Sequence, residues 1–283
     1  PFWLQLIDNP VVTPPIMLFP NAACAIDRPK LTLVRWSQAL CVLMTLIFCE
    51  ARLKNDWPWW EQHWPLEADR EPTPRAAMVM LHPVAATGAD FRRWVEWPGN
   101  NFSAAMASVG VELFFPEAPF ELCEAPCWSK QPVASPIRMT EIEPTGSFEF
   151  AYHKVLEPLL VQLGKKYGSA RVFVAGQSQG GAMALQLLRL AQGRVGGVIS
   201  MHSLLFDGSK VWHALSNTAV PILMTGSEDD PTILFEDVSR CYERMRYLGA
   251  PVTLKMHLKG GHAYNNEELS EVKSWVVQRM RQR

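Results

Sequence analysis

From Ala76 to the end of the chain, apolar residues recur in two regular patterns. Short runs rich in Val, Ile, Leu and Met predict buried β-strands, and longer stretches with apolar residues at helical spacing predict helices that pack on those strands. The predicted strands are AAMVMLH, VELFFPE, RVFVAG, GVISMHS, VPILMTG and VTLKMHL, and the predicted helices cover residues 91–109, 148–167, 180–191, 233–248 and a last stretch ending near Arg281. This alternation predicts an α/β fold, in which a mostly parallel sheet is covered by helices on both faces.

Residues 1–75 follow neither pattern. Repeated prolines in the first thirty residues disfavour helices and strands, and four tryptophans crowd between positions 57 and 64. Between these regions, an apolar run from Ala39 to Cys49 is shorter than the roughly 20 residues that cross a bilayer. Basic residues precede the run, so two interpretations stay open: a helix packed on the protein, or a signal or anchor segment at a membrane. We therefore predict an N-terminal extension over residues 1–75 and one α/β domain over residues 76–283.

The composition narrows the class of protein. Of the 283 residues, 48% are hydrophobic and 19% are charged, which is typical of a folded globular chain. The formal net charge of −1 disfavours recruitment of nucleic acid. The six cysteines are scattered, and the pair Cys123 and Cys127 lacks a second Cys or His pair at zinc-like spacing, so we expect no metal site.

In a parallel sheet, functional side chains lie in the loops after the carboxyl ends of the strands. The loop after RVFVA reads GQSQGG and contains the pattern G-x-S-x-G, with Ser178 between the glycines. A strand precedes the pattern and an apolar helix follows it, so the glycines would allow a sharp turn that presents the serine above the sheet. This context favours Ser178 as a nucleophile over the alternative, a glycine–serine turn that only packs.

A serine nucleophile needs a base, and the base needs a carboxylate to orient it. In this architecture the expected chain order is serine, acid, histidine. Asp229 and Asp230 follow the strand VPILMTG; either could be the acid, and we favour Asp229, leaving its neighbour as a helix cap. Of the seven histidines, His262 follows two glycines beyond the last strand and is predicted to be the base, whereas alternation within the strand predicts a surface position for His257.

Two backbone N–H groups should form an oxyanion hole for the negative charge that develops on the substrate. One is expected from Gln179, directly after the nucleophile. The other is expected from the loop after the first strand, which reads HPVAATG. Pro83 has no N–H, so Val84 is the predicted donor.

These motifs resemble those of the acyl-protein thioesterase and carboxylesterase branch of the α/β-hydrolases. That family carries G-F-S-Q-G-G at its nucleophile, H-G-L-G-D-T-G at its oxyanion loop and G-x-x-D-P around its acid. Its histidine lies in G-x-x-H-S before an acidic helix, similar to KGGHAYNNEELSEVKSWV here. The likeness covers about residues 76–283, and its specific parts are the motifs at Ser178 and His262. Pro83 and Ala85 depart from the family's oxyanion-loop glycines, and the extension has no counterpart in the minimal fold.

The resemblance implies an α/β-hydrolase fold and hydrolysis of a thioester or carboxylic ester through an acyl-serine. Ser178 would attack, His262 would act as base and then acid, Asp229 would hold the imidazole, and the N–H groups of Val84 and Gln179 would stabilise the oxyanion. It implies no metal and no organic cofactor, and a substrate that is an acyl ester or an acylated protein or lipid. We expect a cytoplasmic protein, with peripheral membrane contact through the extension left open.

Three alternatives remain at this stage. A small-ester carboxylesterase or a lysophospholipase would need the same triad, and a non-catalytic binding protein would keep the fold without the reaction. Substrate choice is expected to lie in the long loop between Glu117 and Ser147, because a loop of this length is usually functional. Its apolar residues either line an acyl groove, with Trp128 as the predicted substrate-binding residue, or form a lid that only packs: Phe120, Leu122, Trp128, Val133, Ile137 and Met139.

Overall fold

The computed structural model describes residues 74–97, 99–122, 125–130, 135–141 and 145–282. The predicted N-terminal extension therefore lies, up to residue 73, outside the described residues, as do Cys123 and Val133. Within the described part of the chain, no helix combines the length and the apolar character that spanning a bilayer requires.

A six-stranded sheet forms the centre of the α/β domain, and its neighbouring strands are all parallel. Its order is β2-β1-β5-β6-β7-β8, and β3 and β4 form a separate antiparallel hairpin. The strands are β1 (Ala76–Leu81), β2 (Val111–Phe114), β3 (Phe120–Leu122), β4 (Ala125–Cys127), β5 (Val172–Gln177), β6 (Gly197–Met201), β7 (Ile222–Ser227) and β8 (Val252–His257). The predicted mostly parallel α/β sheet is confirmed.

Helices follow most of the strands and cover the sheet. They are α1 (Gly88–Val95), α2 (Phe102–Ala107), α3 (Thr145–Ala151), α4 (Glu157–Tyr167), α5 (Gln179–Leu190), α6 (Val211–Leu215), α7 (Phe235–Tyr247) and α8 (Asn266–Arg281). A π-helical turn, Tyr152–Leu156, joins α3 to α4, and a 3-10 turn, Ser169–Arg171, leads into β5.

Alternate residues of the central strands supply two separate cores, one on each face of the sheet. In β1, Ala77 and Val79 pack in the core formed with α4, α5 and α7, while Met78 and Met80 pack in the core formed with α1, α2 and α8. All six residues of β1 are buried, as expected for a strand covered on both faces. The predicted strands are continuous apolar runs in the sequence because both faces of these strands pack in a core.

Two predicted elements differ from the structure. The helix predicted over residues 91–109 is two helices, α1 and α2, and the chain turns between them through Gly99 (φ 106°) and Asn101 (φ 39°). Positive φ values are incompatible with a continuous right-handed helix. The long loop predicted from Glu117 to Ser147 contains the β3–β4 hairpin and the start of α3, so it is partly ordered secondary structure.

The turn between β5 and α5 is held close to β1 by Gly180. A Cβ at this position would lie 2.6 Å from the carbonyl oxygen of His82 and closer still to that of Leu81. Both are backbone atoms, which cannot move aside as a flexible side chain can. The glycine is therefore needed for close contact between the start of α5 and the end of β1, and this contact brings the G-x-S-x-G turn beside the HPVAATG loop.

Candidate active site

Ser178 occupies the sharp turn between β5 and α5. Its backbone has φ 53° and ψ −119°, a conformation that non-glycine residues rarely adopt and that must be held by its surroundings. The Ser178 N–H donates to the carbonyl of Met201 (2.9 Å), and its own carbonyl accepts from Ala182 N in the first turn of the helix (3.0 Å). The side chain is thereby presented beyond the carboxyl end of the sheet, as the glycine-flanked motif predicted.

His262 lies in the loop after β8, with its Nε2 2.9 Å from Ser178 Oγ. Gly260 (φ 156°) and Gly261 (φ 59°) precede it, and such positive φ values allow the chain to fold back over the sheet edge. The Gln177 side-chain amide donates to the carbonyl of His262 (3.2 Å), which ties this loop to the end of β5, directly before Ser178. The structure thus brings together two residues that are 84 positions apart.

The carboxylate that contacts His262 belongs to Asp230, not to the favoured Asp229. The Nδ1 of His262 lies 2.8 Å from Asp230 Oδ2. Asp229 Oδ1 instead accepts a hydrogen bond from the backbone N–H of Gly261 (2.8 Å). The preference for Asp229 is therefore corrected: the contact with the imidazole that the acid needs is made by Asp230, whereas Asp229 contacts the glycine loop that precedes His262.

The conformation of the loop after β7 explains why Asp230 faces the histidine. Its Oδ1 accepts from the backbone N–H groups of Thr232 (2.8 Å) and Ile233 (3.0 Å), which leaves Oδ2 for imidazoles. Aspartate commonly bonds the backbone two or three residues ahead in this way, and a proline in the following position favours such a turn. The Asp-Pro-Thr-Ile stretch was the signal that could have separated the two aspartates.

Behind Asp230 lies a second histidine, His202, which the chain-order argument had passed over. His202 follows β6 and is buried, with Nδ1 3.0 Å from Asp230 Oδ2 and Nε2 3.2 Å from Oε2 of the buried Glu268. The Thr225 hydroxyl donates to the other oxygen of Glu268. Sequence reasoning missed both His202 and Glu268, although one directly follows a strand and the other begins the acidic helix after His262.

These contacts shift the ionisation of the buried pair. Burial by itself would lower the pKa of His202, but its hydrogen bonds to Asp230 and Glu268 outweigh burial and raise that pKa to about 9. Burial by itself would raise the pKa of Asp230, but the hydrogen bonds from His202, His262 and the Ile233 N–H hold it well below its usual range. At neutral pH, His202 is therefore an imidazolium and Asp230 a carboxylate.

The predicted oxyanion donors lie on neighbouring segments. Gln179 is the first residue of α5, so its N–H has no intrahelical acceptor and is available to a ligand. Val84 lies in the turn after β1, and the carbonyls at the end of β1 pack against Gly180. The structure thus brings the two loops side by side, and the pairing of these two N–H groups on one oxyanion remains a prediction.

His82 stabilises the loop that carries Val84. Its Nδ1–H donates to the Pro83 carbonyl (2.9 Å), and its Nε2 accepts from the Ala118 N–H (3.1 Å). This pattern uses one proton on the ring. Burial lowers the pKa of His82, which keeps the ring neutral and its Nε2 available as an acceptor. The loop is therefore fixed to the segment before β3 by an uncharged histidine.

Trp128 connects this loop to α5, the helix that follows Ser178. Its Nε1–H donates to the His82 carbonyl (2.9 Å), and its backbone N–H donates to Gln179 Oε1 (2.6 Å). The Gln179 amide also donates to the Ser129 carbonyl (3.2 Å). Trp128 has 0% relative exposure, so it does not line an open groove. The prediction that it binds substrate is corrected in favour of a supporting position between the two loops.

One group of side chains among the described residues has a spacing that a metal ion could use: His202, Asp230 and His262. Their candidate ligand atoms are already engaged with one another and with neighbours. Asp230 Oδ2 accepts from both imidazoles, and the remaining ring nitrogens contact Glu268 and Ser178. The chemistry of the set is therefore that of a hydrogen-bonded relay that ends on a serine hydroxyl.

Known proteins are similar to this chain in sequence and in fold. The model of the phospholipase/carboxylesterase family matches residues 147–279. A probable carboxylesterase SOBER1-like of Arabidopsis thaliana is 32% identical over 111 residues, which are 38% of this chain and 42% of that protein. Acyl-protein thioesterase 1 of Gibberella zeae is 31% identical over 111 residues, which are 38% of this chain and 47% of that protein. The chain thus spans less than half the length of these two relatives.

A solved structure is similar in fold over most of the chain. The crystal structure of Arabidopsis thaliana SOBER1 superposes with a TM-score of 0.63 at 23% identity, covering 73% of this chain and 99% of that one. At this identity the likeness supports the fold alone. Taken with the family match over residues 147–279 and the strand order described above, it shows that this chain has the α/β-hydrolase fold and that residues 147–279 resemble the phospholipase/carboxylesterase family.

Proposed function

We propose that this protein is a serine hydrolase that cleaves carboxylic esters or thioesters through an acyl-serine intermediate. The observation that carries the proposal is the continuous contact from Ser178 Oγ to His262 Nε2 (2.9 Å) and from His262 Nδ1 to Asp230 Oδ2 (2.8 Å). A carboxylate holds the imidazole in the tautomer whose Nε2 accepts the hydroxyl proton. The names of the relatives, carboxylesterase and acyl-protein thioesterase, favour the same reaction class.

In the first half of the reaction, Ser178 Oγ attacks the acyl carbonyl carbon while its proton moves to His262 Nε2. The carbonyl oxygen becomes an oxyanion, which the N–H groups of Gln179 and Val84 would stabilise; one such donor commonly contributes about 10²- to 10³-fold in kcat. His262 then gives its proton to the departing alcohol or thiol, and the C–O or C–S bond breaks. The acyl group remains as an ester of Ser178.

In the second half, a water molecule takes the place of the alcohol or thiol. His262 removes a proton from that water as it attacks the acyl-serine carbonyl, and the same two N–H groups stabilise the second oxyanion. Collapse of this intermediate returns the proton to Ser178 Oγ and releases a carboxylic acid. Asp230 stays ionised throughout, because its hydrogen bonds hold its pKa well below its usual range despite burial.

Labelling with a fluorophosphonate tests this proposal without any substrate. The reagent should form one phosphonyl adduct, and mass spectrometry should locate it on Ser178, because only a serine activated by a neighbouring base reacts readily. The label should be absent when the protein is unfolded before treatment. A folded protein that takes no label, or that takes it on another residue, would contradict the proposal.

An apolar surface beside α5 favours a substrate with a long acyl chain. Phe120 pairs with Cys127 in the β3–β4 hairpin, and the next residue, Trp128, contacts Gln179. The Phe120 ring stacks on the ring of the half-exposed Phe150, with the ring centroids 5.1 Å apart. A buried CH₂ contributes about 0.8 kcal/mol, which is about fourfold in binding. We propose that this pair contacts the acyl chain, which would make acylated proteins or lipids better substrates than acetyl esters.

A series of p-nitrophenyl esters with increasing acyl length measures this effect. We expect kcat/KM to rise about fourfold per added CH₂ until the surface is covered. The Phe150→Ala variant should flatten the series while leaving the acetyl ester unchanged. The matched control is Tyr247→Ala, which removes a 90% exposed ring at the far end of α7. A flat series in the wild-type protein would favour the alternative, a small-ester carboxylesterase.

A further inference from the structure

The buried cluster behind the triad contains more charged groups than a hydrolytic triad requires. His202 lies between two carboxylates, those of Asp230 (3.0 Å) and Glu268 (3.2 Å), and its side chain has no exposed surface. Charged groups are rarely found fully buried without partners, because their desolvation is costly. An apolar residue behind Asp230 would avoid that cost, so the histidine calls for an explanation beyond packing.

We propose that His202 is a positioning residue for the reaction: its imidazolium holds the Asp230 carboxylate toward His262 and places a positive charge beside the His262 ring. The inference rests on the serine-hydrolase function proposed above. Asp230 Oδ2 accepts from Nδ1–H groups on both rings, so the two histidines hold one oxygen from two directions. The first part of the proposal is this shared contact.

The second part follows from the distance between the two histidine rings. Their centroids lie 5.7 Å apart with the planes nearly perpendicular, at 81°. A like charge within about 4–6 Å disfavours the charged form of an ionisable group. The His202 imidazolium therefore lies close enough for its charge to act on the His262 ring, and removing that charge should change the pH dependence of the reaction.

Three segments packed on His202 carry ionisable side chains that contact it. Asp230 comes from the loop after β7, Glu268 from the first turn of α8, and His262 from the loop after β8. The pKa of the Tyr264 hydroxyl is raised chiefly by burial and secondarily by the nearby Glu268 carboxylate. With two acidic neighbours and one basic neighbour, the surroundings favour a positive charge on His202.

The chain also offers a suitable substitution. His202 has φ 49°, in the left-handed region, where asparagine is better tolerated than most residues. In His202→Asn, the amide could still donate to Asp230, whereas the positive charge and the contact with Glu268 would be lost. The double variant His202→Asn with Glu268→Gln removes one positive and one negative charge together, so no additional uncompensated carboxylate remains in the core.

The pH dependence of kcat/KM for an ester substrate is the decisive measurement. We expect the acid limb of the profile to move to higher pH by about one unit in His202→Asn, which is about a tenfold loss at a pH on the limb and a smaller loss on the plateau. The double variant should move it in the same direction but by less, because it also removes the negative charge of Glu268, which is farther along the chain of contacts from His262. A purely structural role would lower activity equally at every pH. The matched control, His257→Asn, alters a histidine that contacts Glu271 (3.5 Å) instead of the triad, and its limb should not move.

An NMR measurement on the wild-type protein keeps the proposal testable if neither variant folds. With ¹⁵N-labelled histidine at pH 8, one ring should carry protons on both nitrogens and exchange them slowly. Slow exchange distinguishes the fully buried His202 from His262, whose side chain is 23% exposed. The proposal is overturned if no such ring is present, or if a folded double variant has its acid limb at the wild-type pH.

The same samples separate this inference from the proposed function. Fluorophosphonate labelling of wild-type Ser178 is measured first. Absence of labelling contradicts the hydrolase proposal itself, whereas normal labelling with an unmoved acid limb contradicts only the role of His202. The NMR result needs no activity, so it reports on the charge of the buried ring in either case.

Discussion

Replacement of Ser178 by alanine is expected to lower kcat for ester hydrolysis by about 10⁵- to 10⁶-fold, with the fold intact. The hydroxyl is the group that His262 Nε2 contacts at 2.9 Å, and no acyl-enzyme can form without it. Some acceleration over water should remain, because the backbone N–H groups of the oxyanion hole are unaffected by the substitution. Steady-state kinetics with an activated ester measure the loss, and circular dichroism confirms the fold.

A second buried serine provides the matched control. Ser200 lies within β6, and its hydroxyl has no hydrogen-bond partner among the described residues. Removing an unpaired buried hydroxyl is close to neutral, so Ser200→Ala should keep kcat within about threefold of wild type. Comparable losses in the two variants would mean that the change disturbs packing near the sheet, and would count against Ser178 as the nucleophile.

The second large effect is expected at Asp230. Asp230→Asn should lower kcat by about 10⁴-fold, because an amide can donate to His262 Nδ1 and thereby favour the tautomer whose Nε2 carries the proton. That tautomer cannot accept the proton of Ser178. Asp229→Asn keeps an oxygen that can accept from the Gly261 N–H, so its loss should stay within about threefold. If the two variants exchanged these results, Asp229 would be the acid that orients the base.

The same pair of variants tests the electrostatics of the core through stability. The folded pKa of Asp230 lies below its unfolded value of about 3.9. Its carboxylate therefore contributes stability that is fully present above that value and is lost as the pH falls through the lower folded pKa. Thermal melts at neutral pH should show Asp230→Asn destabilised relative to wild type, while Asp229→Asn melts close to wild type.

His202 has the opposite dependence on pH. Its folded pKa is about 9, above the unfolded value of about 6.5. Its contribution to stability is therefore fully present below the unfolded pKa and is lost as the pH rises through about 9. The contributions of Asp230 and His202 to the free energy of unfolding are therefore both present only between two pH values: the one at which Asp230 takes up a proton and the one at which His202 loses its proton.

Local sequence patterns were sufficient to predict the strands, most of the helices, and the positions of Ser178 and His262. The apolar run of β5, the glycines around Ser178 and the helix that follows are neighbours in the chain, and short-range sterics dictate how such a sequence turns. His262 was found from chain order and from the glycines before it. The prediction of one helix over residues 91–109 was wrong because the positive φ angles at Gly99 and Asn101 divide the segment into two helices.

The sequence by itself therefore determined a parallel α/β sheet, a strand–turn–helix at Ser178 and the position of His262 in the loop beyond the last strand. Tertiary structure alone decided which of two adjacent aspartates contacts the His262 imidazole, because the answer depends on the dihedral angles of a loop held by Thr232 and Ile233. It alone brought Glu268 to His202, 66 positions away. The physical reason is that periodicity records which side of an element is buried, whereas contacts between loop side chains depend on how distant segments pack.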